Sequence, residues 1–142
     1  ESDASLSARL QRKVRGLGPL AGAMTISRKA AAAGFEWDSM EGVWEKVHEE
    51  LDELKEAVAS GDRAHAESEL GDLLFVCVNL ARFMKVNPEQ ALKRTNHKFE
   101  SRFRAIERVL AREGRDMDDE SLEALDAIWQ AVKGVERQDQ EG

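Results

Sequence analysis

Residues 39–60 read S-M-E-G-V-W-E-K-V-H-E-E-L-D-E-L-K-E-A-V-A-S, and beyond the turn at Gly61 and Asp62, residues 69–72 read E-L-G-D. At about 100° per residue, Val43, Val47, Leu51, Leu54 and Val58 fall on one stripe, which makes the first stretch a helix rather than a strand. Ser39 suits its N-cap and Gly61 its C-terminal end. Glu49, Glu50 and Glu53 form a neighbouring stripe with Lys46, and Glu50 borders the apolar face most closely. In the next helix Glu69 projects at the same angle as Leu73, Val76 and Leu80, on the core side, with Asp72 on the rim and Asn79 two turns on. Carboxylates are costly to desolvate without a partner. Five of them converging from two helices call for a cation, and Mg²⁺ favours oxygen ligands. For residues 39–60 alone an ordinary acidic surface competes with this reading, although Glu49 and Glu53, like charges four apart, are then mildly destabilising. Gly71 costs about 1 kcal/mol relative to Ala inside a helix and points to close packing by a neighbouring helix or a ligand.

The flanking sequence carries the same helical period. Segments at about residues 5–14, 20–33, 63–85, 88–112 and 119–135 join the helix at 39–60, separated by Gly16, Gly18 and Pro19, by Gly34, by Asn87-Pro88 and by Gly114. Expected inward faces are Leu70, Leu73, Val76, Cys77, Leu80 and Met84, then Leu92, Phe99, Phe103, Ile106 and Leu110. In the last helix they are Leu122, Leu125, Ile128, Trp129 and Val132. Short links between amphipathic helices predict an all-α fold, an antiparallel bundle of about five to six helices. One domain over residues 1–142 is expected, with its core at about 20–135 and a frayed or disordered tail at 136–142. The first residue is Glu1 rather than Met, so an upstream domain stays open.

A formal net charge of −7 argues against binding nucleic-acid backbones, but not against a nucleotide whose charge a divalent cation offsets. No stretch is long enough to span a membrane and no signal-peptide core is present. The lone Cys77 cannot form an internal disulfide, which fits a reducing, cytoplasmic setting. Lys98 and Arg102 stand four apart beside Phe99 and Phe103, suited to anionic oxygens, although by themselves they read first as a pair snorkelling over the core. Trp129 and Lys133 repeat that spacing; Trp129 reads first as core, as do Trp37 and Trp44. Other chemistries fit poorly. Glu45 and His48 supply a single Glu-x-x-His step where di-iron bundles need two, and there is no cysteine pair for zinc, Walker loop or nucleophile elbow.

E-E-x-x-E followed by E-x-x-D on adjacent helices resembles the all-α nucleoside triphosphate pyrophosphohydrolases, specifically the MazG family. So do G-F-E-W at 34–37, E-L-G-D-L-L-F at 69–75, V-N-L-A-R at 78–82 and N-H-K-F-E-S-R-F-R at 96–104. The likeness covers roughly residues 20–133 and is nearest to the C-terminal catalytic half of two-domain MazG proteins. It implies Mg²⁺-dependent hydrolysis, with Mn²⁺ as a substitute, of a nucleoside triphosphate to monophosphate and pyrophosphate. Glu49, Glu50, Glu53, Glu69 and Asp72 would hold the metal, and Glu50 or Glu53 would take the proton of the attacking water. Lys46, Lys98 and Arg102 would contact phosphates, and Trp129 and Lys133 would complete the nucleotide pocket. The resemblance also implies a homodimer with a four-helix core. One departure is Ser68, where relatives often carry a further acid. A broad house-cleaning or regulatory range is expected. The alternatives are a narrower dUTP, dCTP or phosphoribosyl-ATP pyrophosphohydrolase, or a non-catalytic helical interaction module.

Overall fold

The first five helices begin and end close to where their punctuation says they should, whereas the last starts at Leu122 rather than about 119 and continues past 135. A computed structural model describes residues 5–141. They form α1 (Leu6–Val14), α2 (Pro19–Ala32), α3 (Met40–Ser60), α4 (Arg63–Phe83), α5 (Pro88–Arg112), a 3₁₀ turn (Met117–Asp119) and α6 (Leu122–Glu141). Among the described residues there is no strand, so the fold is all-α as expected. The Ser39 hydroxyl accepts from the Gly42 amide and caps α3, and the Asp62 carboxylate accepts from His65 N and caps α4. Gly61 between them takes φ +78°, a left-handed conformation that glycine adopts without a Cβ penalty. That two-residue link folds α3 and α4 into an antiparallel hairpin.

The helices gather into two compact units, one ending at Ala91 and the other beginning at Leu92. In the first, α3 packs along α4, α2 along α4, and α1 along α2. Its core holds Val43, Ala57, Val76, Val78 and Ala81. The buried line of α3 is therefore Val43, Glu50 and Ala57, seven residues apart, rather than the stripe ending at Val58, which is 62% exposed. Ala57 turns inward in place of Val58 because a small side chain allows α4 to approach. On α4 the core side holds Val76 and Asn79, whereas Leu70, Cys77 and Met84, expected inside, are exposed. The apolar arc of α4 is wider than its two neighbours cover.

In the second unit Ile106 and Leu110 are buried, and Leu125, Ile128, Trp129 and Val132 are half-buried. Leu92, Phe99, Phe103 and Leu122, expected inside, are exposed. Arg115 bridges Glu113 and Glu120 across the turn that follows α5. α6 runs on to Glu141 through the segment expected to fray. The Arg102 Nε donates to Glu136 Oε1 at 2.9 Å and ties the first residue of that segment to α5. Gly142 lies outside the described residues.

Candidate functional site

The heptad spacing that buries Val43 and Ala57 buries Glu50 between them, at 7% exposure. From α4, Glu69 is half-buried opposite it and Asp72 stands at the rim. One carboxylate oxygen from each of Glu50, Glu69 and Asp72 lies within 4.8 Å of the other two. Lys46 Nζ donates to Glu49 Oε2 at 2.6 Å and sits 3.3 Å from Glu50 Oε1. His65 Nε2 sits 3.3 Å from Glu69 Oε1. The second oxygens, Glu50 Oε2 and Glu69 Oε2, are buried with no hydrogen-bond partner among the described residues. A buried carboxylate oxygen without a donor loses its hydration and gains nothing in return. Two such carboxylates gathered with a third offer the oxygen ligands of a hard divalent cation such as Mg²⁺, so the residues present fit that ion.

The field in this cluster is visible at its edge. Contact with Glu50 and its charge, then desolvation and the charges of Glu69 and Glu49, raise the Glu53 carboxyl above the ordinary glutamate range. Glu49 foremost, with Glu50 behind it, holds the Lys46 ammonium above the usual lysine range. The structure thus brings Glu50, Glu69 and Asp72 together directly, with Lys46, Glu49 and Glu53 along the same edge of α3. Beyond its chain neighbours and the adjoining backbone of α4, no atom of the described residues comes within 4 Å of where a Cβ on Gly71 would sit. Packing against a neighbouring helix of this chain therefore does not explain that glycine.

In the second unit Arg102 and Trp129 meet. The guanidinium carbon lies 5.4 Å from the Trp129 ring centroid, and Phe99 packs on the same ring with centroids 5.2 Å apart. Lys133 is half-buried four residues on, and Lys98 is exposed.

One feature of the first unit escaped the sequence reading. A cavity of about 360 Å³ is walled by Phe35, Trp37 and Phe75 and lined by Ser27, Asn79 and Lys46. Its polar wall is a relay. Arg82 forks onto Glu36, Nη1 to Oε2 at 2.5 Å and Nη2 to Oε1 at 2.8 Å. The Arg82 Nε donates to Ser27 Oγ at 2.7 Å, and Ser27 Oγ donates to Asn79 Oδ1 at 2.5 Å. The bidentate Arg82 contact holds the Glu36 carboxyl below its ordinary range. A depressed carboxyl stabilises the fold above its unfolded-state pKa, and that contribution is lost as pH falls through the lower, folded value. Glu36→Gln is therefore expected to flatten the acid limb of a stability-against-pH curve followed by urea unfolding. An unchanged acid limb would contradict the linkage.

Carboxylates from two helices of one hairpin thus converge in an all-α fold, two of them with a buried, unpartnered oxygen. Residues 39–106 match the family model described as the MazG nucleotide pyrophosphohydrolase domain. The chain is 42% identical over 122 residues to the nucleoside triphosphate pyrophosphohydrolase/pyrophosphatase MazG of Thermotoga maritima, a match covering 83% of this chain and 47% of that one. It is 43% identical over 126 residues to the nucleoside triphosphate pyrophosphohydrolase of Escherichia coli K12, covering 86% and 47%. It is also 48% identical over 71 residues to the uncharacterized protein YabN of Bacillus subtilis, covering 50% and 14%. The chain belongs to the MazG family, and it spans about half the length of the Thermotoga and Escherichia relatives.

Proposed function

We propose that this chain hydrolyses nucleoside triphosphates between the α and β phosphates in a Mg²⁺-dependent reaction, over a broad range of bases, in a house-cleaning or regulatory role. The observation that carries the reading is the pair of buried, unpartnered oxygens on Glu50 and Glu69 with Asp72 beside them. Glu49, Glu50, Glu53, Glu69 and Asp72 are the residues to hold Mg²⁺, or Mn²⁺ in its place. The bound ion supplies charge neutralisation for a polyanionic substrate and acidifies a water. Glu53 is exposed and pressed against Glu50, and its carboxylate is the reachable one to accept the proton of the attacking water. Lys46 already bridges Glu49 and Glu50, and an incoming phosphate oxygen offers it a stronger partner than a shared carboxylate. Lys98 and Arg102 take phosphate oxygens, and Trp129 with Lys133 contacts the nucleotide. Glu136 and the Trp129 face hold the Arg102 fork in one orientation for that task.

Chromatography of a partial digest tests the chemistry. Monophosphate and pyrophosphate should accumulate together, without diphosphate, and only with the divalent cation present. Diphosphate with orthophosphate would overturn the assigned bond, and an absence of metal-dependent turnover would leave a helical interaction module.

The acting form is proposed to be a homodimer. Leu70, Leu74, Cys77 and Met84 form one exposed apolar stripe on α4, roughly 100° around the helix from the face bearing Glu69. Such a stripe suits a partner helix. Among the described residues no helix is long and apolar enough to cross a membrane. A reduced Cys77 fits the cytoplasm.

A further inference from the structure

We propose that Lys46 is a built-in placeholder for the divalent cation. Its ammonium holds Glu49 and Glu50 until a phosphate oxygen draws it away. A divalent ion therefore binds weakly by itself and tightly once a phosphorylated ligand is present. This concerns the regulation of the proposed pyrophosphohydrolase site, and it rests on that reading for the identity of the ion and of the phosphate.

The contacts put one cation where another is needed. Lys46 lies one turn before Glu49 and Glu50 on α3, and its Nζ stands 2.6 Å from Glu49 Oε2 and 3.3 Å from Glu50 Oε1. Glu50 is served unevenly by this. Its Oε1 meets the ammonium, while its buried Oε2 has no donor. The ammonium thus offsets part of what it costs to hold this carboxylate at 7% exposure without an ion. It brings only one charge, however, and it leaves the second oxygen unserved. An ion bound among Glu50, Glu69 and Asp72 would share Glu50 with Lys46, so two cations would crowd one carboxylate.

The lysine is able to leave. Its side chain is 38% exposed, so a solute reaches it from solvent. An ammonium on a flexible four-carbon stem makes a point contact, which it can transfer from one anionic oxygen to another. A phosphate oxygen is such a partner, and it needs no rearrangement of the helix to be reached. Once Lys46 turns to the phosphate, Glu49 and Glu50 lose their competitor for the ion. Phosphate and divalent ion then favour each other's binding through the lysine, in addition to any direct contact between them.

Titration of Mn²⁺ into the metal-free intact chain, followed by the electron paramagnetic resonance of the free ion, tests this without turnover. Lys46→Met keeps the stem and removes the charge, and Lys46→Gln serves as a second neutral variant. Both should bind Mn²⁺ about tenfold more tightly than the wild type, the scale of removing one like charge beside a divalent ion in a largely hydrated setting. A gain in affinity cannot come from misfolding. Lys46→Arg keeps the charge and should match the wild type. Lys55→Met removes an exposed lysine of the same helix and should also leave the affinity unchanged. In metal-free buffer Lys46→Met should melt below the wild type, yet rise further on Mn²⁺ addition. A non-hydrolysable triphosphate should tighten Mn²⁺ binding more in the wild type than in Lys46→Met. Neutral variants that bind Mn²⁺ no more tightly than the wild type overturn the proposal, and so does an equal gain from Lys55→Met. Metal-dependent pyrophosphate release alongside either result leaves the hydrolase reading standing. The expected gain in Mn²⁺ affinity, without pyrophosphate release from any triphosphate, supports the placeholder and removes the hydrolase reading instead.

Discussion

Glu50→Gln is expected to abolish triphosphate turnover and, in metal-free buffer, to raise the melting temperature. Glu50 lies between the fully buried Val43 and Ala57, and its Oε2 has no donor within reach. Glu69 Oε2 faces the same deficit, and the Asp72 carboxylate stands within 4.8 Å. Gathering these charges without a cation costs stability, and a buried unpaired group accounts for about 1–3 kcal/mol. The amide keeps the shape and removes one charge, so part of that cost disappears, worth a few degrees in a chain of this size. With Mg²⁺ the order reverses. A ligand at a hundred times its dissociation constant stabilises by about 2.7 kcal/mol, so the wild type should gain stability on loading and the variant should gain little. Glu69→Gln should behave alike. Paired melting curves with and without Mg²⁺, alongside pyrophosphate release, provide the check. A Glu50→Gln protein that keeps both its Mg²⁺-dependent melting shift and near-wild-type activity would place the metal elsewhere.

The second large effect is expected from Leu74→Glu. Leu74 is 60% exposed at the centre of the α4 stripe, with Leu70 one turn before it and Cys77 one turn after. If a second copy covers this stripe, a carboxylate at position 74 is stranded in an apolar interface, and dimer affinity should fall at least a hundredfold. Sedimentation at micromolar concentration should show wild-type dimers and Leu74→Glu monomers with unchanged helix content. Cys77 adds a chemical readout, since its thiol should alkylate slowly in the wild type and quickly in the variant. A wild type that sediments as a fully active monomer at micromolar concentration would decide against the dimer.

How much of this was legible in the sequence depends on what each signal measures. Glu69 was readable as a core-side acid because the helical angle alone places it with Leu73, Val76 and Leu80. Glu50 was placed only at the border of the apolar face, because Val58 and Leu51 outweigh Ala57 in any hydrophobic pattern. Packing distance reversed that order and put the small residue, and the acid seven before it, inside. The outward turn of Leu70, Phe99 and Phe103 was not readable. Periodicity shows that a face is apolar and is silent on whether the same chain or another covers it. The aromatic cavity was missed for a topological reason. Ser27 and Asn79 are 52 residues apart, and Ser27 and Arg82 are 55 apart, so nothing local couples them. G-F-E-W is a family-like stretch in which Trp37 reads as structural from the sequence, yet Phe35 and Trp37 are two of the cavity's three aromatic walls.

Gly42 sits in the first turn of α3, and a Cβ built there would come 3.2 Å from Cδ1 of Trp37. That is closer than carbon atoms settle, so any larger residue must displace the indole by a few tenths of an ångström. Position 42 lines nothing itself, yet it governs how far one aromatic wall stands from the other. For anyone wishing to retune what the cavity admits, this glycine works as an adjusting screw outside the chamber. A change there would alter the aperture while the acids, the lysine and the Ser27 relay keep their identities.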